Sequence, residues 1–352
     1  MPGASEDQLA VVTVNYRTPD LVIRCLDSLL AERAAIGDSL EVIVVDGGSG
    51  DGSAEKLRRH LEQERFAGWT TLLALEINGG FGWANNQALL RLLQRENPPE
   101  LIHLLNPDTV IEPGALTRLA DAMRAHPGCG AAGSQLIDED GGLAGSAFRF
   151  PTPAREFLGG SNTAALGRLI GVKSVLVEPG YGGEVDWVTG ASVMFRAQAL
   201  REVGVFDDGF FLYFEEIELM HRLRRAGWSV RHVPESRVWH VGGAATGVNG
   251  HDPKQVRRRP AYWYRSRRRF FALTQGRSAA FAAGLGWISG EALWRVRKAI
   301  TRKSGRVEVP HQREDLLGHG LWPDTEDLTS HARPWDHPPG AAPAWMESSN
   351  QT

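Results

Sequence analysis

Cysteine is almost missing from this chain: Cys25 and Cys129 are the only two among 352 residues, too few for a disulfide framework, and no Cys/His cluster has zinc-finger spacing. A reducing compartment is therefore expected. The opening stretch, MPGASEDQLAVV, carries two acids and no apolar run, so it does not read as a secretory signal. No segment reads as membrane-spanning, since Arg277, Gly284, Gly286 and Glu291 interrupt the most apolar late stretch. Internal repeats are missing, and so is the GxGxxG turn that would mark a dinucleotide dehydrogenase. What remains, 42% hydrophobic and 23% charged residues, is the composition of a globular chain with one large domain or two; it excludes collagenous and disordered classes.

The net charge of -3 conceals a division. Residues 252–306 hold fifteen Lys/Arg against Asp252 and Glu291, a local +13 that leaves -16 for the rest. These cations have two readings: solvated helix faces, or a surface for an anionic partner such as a membrane. A whole-chain excess of acid argues against general nucleic-acid binding.

Residues 1–136 alternate apolar runs (9–14, 40–45, 70–75, 101–105, 130–136) with helical periods (20–32, 53–64, 84–94, 113–125). This is the pattern of an open, mostly parallel α/β sheet flanked by helices, with Pro113 in the first turn of the last helix. Periodicity dissolves between 138 and 183, as in lids and binding loops. It returns at 185–196, at a short helix near 198–202, at a helix over 215–226 closed by Gly227, and at short strands 228–233 and 237–240. Helices are expected at 262–271 and 279–300. The second carries a stripe of Phe281, Leu285, Ile288, Ala292 and Val296 that either packs on the preceding domain or docks on a membrane. The Pro-, His-, Asp- and Trp-containing stretch from about 304 reads as an extended, poorly ordered tail. The division is a domain over 1–250, with a nucleotide-binding half to about 136 and an acceptor half after it, then a basic helical appendix (251–303) and the tail (304–352).

Several residues stand where chemistry is expected. Asp46 ends a strand and opens a glycine turn; it is either a turn former or a ligand for ribose or base. Asp108 follows a strand through Asn106-Pro107, as a turn residue or as a hard ligand for Mg²⁺ or Mn²⁺ beside a diphosphate. Both are read as lying at the ends of neighbouring strands. The segment Asn78-Gly79-Gly80 through Asn86 joins a strand to a helix and allows close backbone approach to an anion. On the 215–226 helix, an ideal wheel puts Glu216 at the centre of the apolar face and turns Glu215 and Glu218 away. Desolvation then raises the Glu216 pKa against the lowering effect of the helix dipole, the balance expected of a general base, although a buried Glu paired with Arg222 is the alternative. The aromatic block before it, with Phe211 and Tyr213, can wall a sugar face. His240 ends a strand and is either structural or the completion of a metal site with Asp108.

Taken in order, VVTVNYRTPDLVIRCLDSL, VIVVDGGSGDGS, NGGFGWANNQAL, LLNPDTVIEPGAL, WVTGASVMFR, GVFDDGFFLYFEEIELMHRLRRAG and VWHVGGAATG resemble the inverting family-2 glycosyltransferases of GT-A fold, especially the bacterial rhamnosyltransferase-like branch. The resemblance covers about 11–247. It implies a nucleotide-sugar donor, dTDP-hexose favoured with UDP- or GDP-sugar as alternatives, and a glycan, lipid-linked or other cell-envelope acceptor at the cytoplasmic face. It places Tyr16 and Asp46 at the nucleoside, with Asn78, Gly79, Asn86 and Asn106 on the donor side. Asp108 and His240 would meet the metal or diphosphate. Trp187, Gly190, Ala191, Phe211, Tyr213 and Glu215 would line the sugar and acceptor pocket, and Glu216 would be the base.

The sequence departs from the family pattern at three places. Gly47 replaces the usual Asn after Asp46, glutamates stand at 216 and 218 where aspartates are usual, and the basic segment after Asp252 matches only loosely. The longer carboxylates raise a second reading, a glycosyltransferase-like scaffold with weakened turnover. A glycoside hydrolase is a third, which lacks a carboxylate opposed to Glu216.

Overall fold

The computed structural model describes residues 8–240, 256–301 and 308–349. Consequently 241–247 of the last family motif, and 252–255 and 302–306 of the basic segment, lie outside the described residues. The first half runs β1 (Leu9–Asn15), α1 (Pro19–Ile36), β2 (Leu40–Asp46), α2 (Ser53–Leu61), β3 (Thr70–Ala74), α3 (Phe81–Leu93), β4 (Leu101–Leu105), β5 (Thr109–Ile111), α4 (Ala115–Arg124) and β6 (Cys129–Ile137). All of β1, β4 and β6 and nearly all of β2 are buried, as central parallel strands covered on both faces must be. Pro113 lies just before α4 instead of inside its first turn, because Gly114, at φ 81°, makes the cap.

The second half runs β7 (Ala147–Phe148), α5 (Pro153–Ser161), α6 (Ala164–Leu169), β8 (Gly183–Val185), β9 (Trp187–Val188), β10 (Ser192–Arg196), α7 (Ala197–Val203), α8 (Glu215–Arg225), β11 (Ser229–His240), α9 (Ala261–Gln275), α10 (Arg277–Thr301), α11 (Gln312–Asp315) and α12 (Ala344–Ser349). The sheet has nine strands in the order β3-β2-β1-β4-β10-β6-β11-β5, with β8 also on β11. Its β1–β4 portion is parallel, and β10 runs antiparallel between β4 and β6. The two short strands read at 228–240 are one, β11, broken in register between Val233 and Arg237. Since β1 separates β2 from β4, Asp46 and Asp108 are not on neighbouring strands; they flank the end of β1.

The appendix packs on the domain through glycines of both helices. A Cβ on Gly290 would stand 2.1 Å from Phe157 O, and one on Gly160 2.3 Å from Trp287 O, so α10 and α5 cross with backbones nearly touching. The buried face of α10 is Ala280, Ala283, Gly284, Trp287, Gly290, Glu291 and Trp294, while Leu285 and Val296 of the expected stripe are exposed. No helix among the described residues is long and apolar enough to cross a membrane.

The tail has little regular structure but is not loose. Trp83 Nε1 donates to Ala341 O (2.8 Å), Gln94 Nε2 to Trp335 O and His337 O (2.9 and 2.7 Å), and Arg333 to Asp208. Side chains of α3 and of its C-cap Gln94 that bond to tail carbonyls hold it against the domain, which a reading of periodicity does not anticipate.

Candidate active site

The end of β4 presents Asn106-Pro107-Asp108. Asn106 N donates to Ala191 O (2.9 Å) and its carbonyl accepts from Thr109 Oγ1 (2.6 Å), so the turn is tied to β10 and β5. Antiparallel pairing of β11 with β5 sets His240 opposite Thr109. That register brings His240 Nε2 to 3.3 Å from Asp108 Oδ1, with Asp108 buried and His240 partly exposed. Asn106 Oδ1, on the same turn, is buried without a hydrogen-bond partner. No cluster of three His, Cys, Asp or Glu able to hold a metal exists among the described residues. One carboxylate and one imidazole, with an unsatisfied amide oxygen beside them, therefore fit a hard divalent cation whose remaining ligands come from phosphate and water.

Asp46 serves the turn it opens. Its carboxylate is 2% exposed and accepts from Asn15 Nδ2 (2.6 Å), Ser49 Oγ (2.7 Å) and Ser49 N (3.1 Å). The group facing outward beside it is Tyr16, 38% exposed, with the Arg17 guanidinium 5.1 Å from its ring centroid. Arg17 N and Nε in turn bond Ser49. Asp46 thus braces, through Ser49, the turn that carries Tyr16 and Arg17.

The glycine segment is shaped by packing as much as by access. Gly80 has φ 93°, and a Cβ there would meet Phe211 O at 2.0 Å; Asn78 Oδ1 accepts from Gly80 N (3.1 Å). Gly79 O accepts from Trp345 Nε1 (2.9 Å). Asn86, expected on the donor side, is fully buried, bonding Phe206 O, Phe206 N and Asp208 Oδ1 at 2.9, 2.9 and 2.7 Å. It braces α3 against the loop before α8.

Two αL residues, Tyr213 and Phe214 at φ 70 and 71°, turn the chain into α8. Glu215 and Glu218 do not point to solvent as the ideal wheel implied; both are buried, and Glu216 is only partly so. It is Glu218, not Glu216, that pairs with Arg222 (2.8 and 2.9 Å). Glu216 lies under the Gly190 backbone, where an added Cβ would be 3.6 Å from its Cβ and Cγ, and a Cβ on Gly82 would be 3.4 Å from Glu215 Cγ. The glycines make room for both carboxyls. Glu215 Oε2 and Glu216 Oε2 are buried and have no hydrogen-bond partner. Burial pushes the Glu216 carboxyl up to about 6 and Glu215 well above its ordinary range, the Glu216 charge adding to the second shift. The two carboxyls titrate as a coupled pair, both shifted upward by the burial they share.

Around this pair, Gly190 and Ala191 are buried, and Trp187 stacks on Phe148 with centroids 4.2 Å apart, its Nε1 on Arg149 O. Phe211 and Tyr213 stay partly exposed. Phe211 meets Tyr262 and Trp345 edge-on (both 5.1 Å), and Tyr213 stacks on Tyr262 at 6.3 Å. Tyr262 and Trp345 were not singled out by sequence; their one signal is aromatic content in segments outside the matched motifs.

Behind the site, Asp207 is fully buried against Arg269 (2.8 and 3.1 Å) and accepts from His331 N (2.8 Å). Appendix, tail and the loop leading to α8 are joined at this point.

The family model for Glycosyl transferase family 2 matches residues 10–159, and that for Glycosyl transferase family group 2 matches residues 101–303, more than half the chain. The chain is 30% identical over 254 residues to N-acetylglucosaminyl-diphospho-decaprenol L-rhamnosyltransferase of Mycobacterium tuberculosis, covering 68% of this chain and 78% of that one. Among solved structures, GalNAc-T7 with UDP, GalNAc and Mn²⁺ aligns with a TM-score of 0.53 at 14% identity, over 89% of this chain and 54% of its own. The mannosyltransferase PcManGT of Pyrobaculum calidifontis, in complex with GDP-Man and Mn²⁺, aligns with a TM-score of 0.52 at 15% identity, over 84% and 76%. At such identity the two structures speak to the fold alone, and that fold is the mixed α/β GT-A arrangement expected. With the family models, the relative and the fold in agreement, the chain belongs to glycosyltransferase family 2 and is a glycosyltransferase of the rhamnosyltransferase-like kind.

Proposed function

We propose that this enzyme transfers a hexose, L-rhamnose from a dTDP donor foremost, from a nucleotide sugar to a hydroxyl of a glycan or lipid-linked cell-envelope acceptor at the cytoplasmic face, inverting the anomeric carbon. The observation that carries the proposal is the Glu216 carboxyl: partly buried, unpartnered at Oε2, beside Gly190, and raised to about 6. Glu216 takes the acceptor hydroxyl proton as that oxygen attacks the anomeric carbon and the bond to the diphosphate oxygen breaks. Phe211 and Tyr213 wall the sugar, and Gly79–Gly80 admit the donor close to the backbone ahead of α3. Tyr16 and Arg17, oriented through Asp46 and Ser49, face the nucleoside. Asp108 and His240, with Asn106 beside them, would hold Mg²⁺ or Mn²⁺; when bound, such an ion neutralises the leaving diphosphate.

The relative's printed name, an L-rhamnosyltransferase acting on a diphospho-decaprenol, supports both the sugar and the acceptor class. The weakened-scaffold reading draws on the glutamates at 216 and 218. Glu218 is engaged with Arg222, so the longer side chain there has a structural use and only Glu216 bears on turnover. A thermal-shift screen of dTDP-, UDP- and GDP-sugars with and without Mn²⁺, followed by transfer assays, tests the proposal. Stabilisation by a nucleotide sugar and transfer lost in Glu216→Gln are expected. Equal, near-zero rates in wild type and variant would leave the scaffold reading.

A further inference from the structure

Away from Glu216, a cavity of about 1230 Å³ opens between α5, α6, the 171–176 turn and the end of α10. Five cations line it, Arg149, Arg155, Arg168, Lys173 and Arg297, against one carboxylate, Glu178. None of the five makes an ion pair among the described residues, whereas Arg258, Arg267, Arg268 and Arg269 of the appendix all do. Backbone carbonyls hold three of them in place: Arg149 on Ser174 O and Leu176 O, Arg155 on Lys173 O and Phe150 O, Arg297 on Asn162 O. Burial pushes the Arg155 guanidinium below its ordinary value; the charge of Asp186 opposes that shift and the charge of Arg149 adds to it.

The same turns expose large apolar side chains. Leu169 and Ile170, between the lining residues Arg168 and Gly171, are 83% and 47% exposed; Ile300, beside Thr301 on the lining turn of α10, is 77% exposed. A cluster of unpaired cations with unsupported apolar side chains between them matches the two layers of a bilayer surface, anionic headgroups and the acyl boundary beneath.

We propose that this α6–α10 face is where the protein lies on an anionic membrane, the cavity taking lipid phosphates while Leu169, Ile170 and Ile300 enter the interface. This shifts the membrane contact from Arg258, Arg267, Arg268 and Arg269 of the appendix, which are engaged internally, to four cations of the acidic body together with Arg297 of the appendix. It deepens the lipid-linked acceptor reading and rests on it for its biological use, but binding is measurable without turnover.

The test is co-sedimentation of full-length protein with vesicles of phosphatidylglycerol and phosphatidylcholine, or of phosphatidylcholine alone, comparing wild type, the double variant Arg168→Glu/Lys173→Glu and the variant Leu169→Ser. Arg168, Lys173 and Leu169 are exposed, so folding is preserved, checked by circular dichroism. Wild type should bind only the anionic vesicles. The charge variant should lose about tenfold or more in partitioning, since each basic residue near such a surface contributes about a factor of five, and Leu169→Ser should weaken binding as well. Equal partitioning of wild type and the charge variant overturns the proposal. So does a dimer of the wild type, seen by analytical ultracentrifugation, that the charge variant abolishes without change in vesicle binding, because a second copy then covers the face. Failure of the glycosyltransferase reading would appear elsewhere, as absence of transfer to a lipid-free acceptor with vesicle binding intact.

Discussion

The pH dependence of transfer gives the sharpest test of the Glu215–Glu216 pair. A base works only when ionised, so if Glu216 titrates at about 6, the single-turnover rate should fall about tenfold for each pH unit below ~6 and level off above ~7. An ordinary glutamate would put that limb near 4.5; the displacement corresponds to roughly 2 kcal/mol of differential solvation, which burial of the carboxyl supplies. Glu216→Gln should lower the plateau by about 10²–10⁴ and remove the limb. Glu216→Asp keeps a base but withdraws it by one methylene, and a displacement near 1 Å costs about a hundredfold. Glu215→Gln mimics the protonated partner and should retain most of the rate, with the limb still near or below 6. Donor-induced thermal shifts in each variant show that the site is intact. A Glu216→Gln enzyme within tenfold of wild type, or one that keeps the acid limb, refutes the assignment of Glu216 as base.

Stability should respond to the same pair in the opposite sense. Folded pKa values raised above the unfolded value give stability that is complete below about pH 4.5 and lost as pH rises through the folded value, so Glu215→Gln should raise Tm relative to wild type at pH 8 and not at pH 4. Asp108→Ala should abolish the Mn²⁺ dependence of nucleotide-sugar stabilisation, measured by thermal shift; an unchanged shift removes Asp108 from the metal site. Gly290→Ala puts a Cβ 2.1 Å from Phe157 O and should cost about 1–3 kcal/mol by urea denaturation, since both backbones are fixed by the crossing of α5 and α10. Arg269→Met leaves Asp207 charged and fully buried, and a loss of about 3–5 kcal/mol is expected from the same measurement.

The strands were legible where burial on both faces removed alternation: β1, β2, β4 and β6 are mostly apolar runs, and the polar residues they do hold, such as Thr13, His103 and Ser134, are buried as well. Meeting of Asp108 and His240 needed the register of β11 on β5, which depends on a long-range pairing invisible in either segment. The glutamates of α8 show the limit of a helical wheel. It assumes one buried side, but α8 has the 203–205 turn behind it, bonded by Arg222, as well as Gly190 in front, so Glu218 is buried in an ion pair and Glu215 under Gly82. Helix α5 escaped notice because Gly159 and Gly160 depress helical propensity; Gly160 is there to admit Trp287 of α10. The tail is fixed in part through its own carbonyls, which carry no side-chain signature.

The charge division along the chain acquires a physical reason from these contacts. An acidic body and a basic appendix attract, and the structure spends that attraction on assembly: Arg267 on Glu156, Arg269 on Asp207, Arg258 on Asp315, Arg268 on Asp324 and Asp327. Two of these arginines are 5% exposed or less, so their charges are compensated inside the protein and exert little field outside it. The net charge of a segment is therefore a poor guide to what it presents. What a partner meets is the set of cations left uncompensated after folding, and five of these line one cavity beside α6 and the end of α10. Because Arg149, Arg155, Arg168 and Lys173 belong to the part of the chain that counts as acidic, only the pairing pattern, and not the sum, identifies the face that an anionic surface would select.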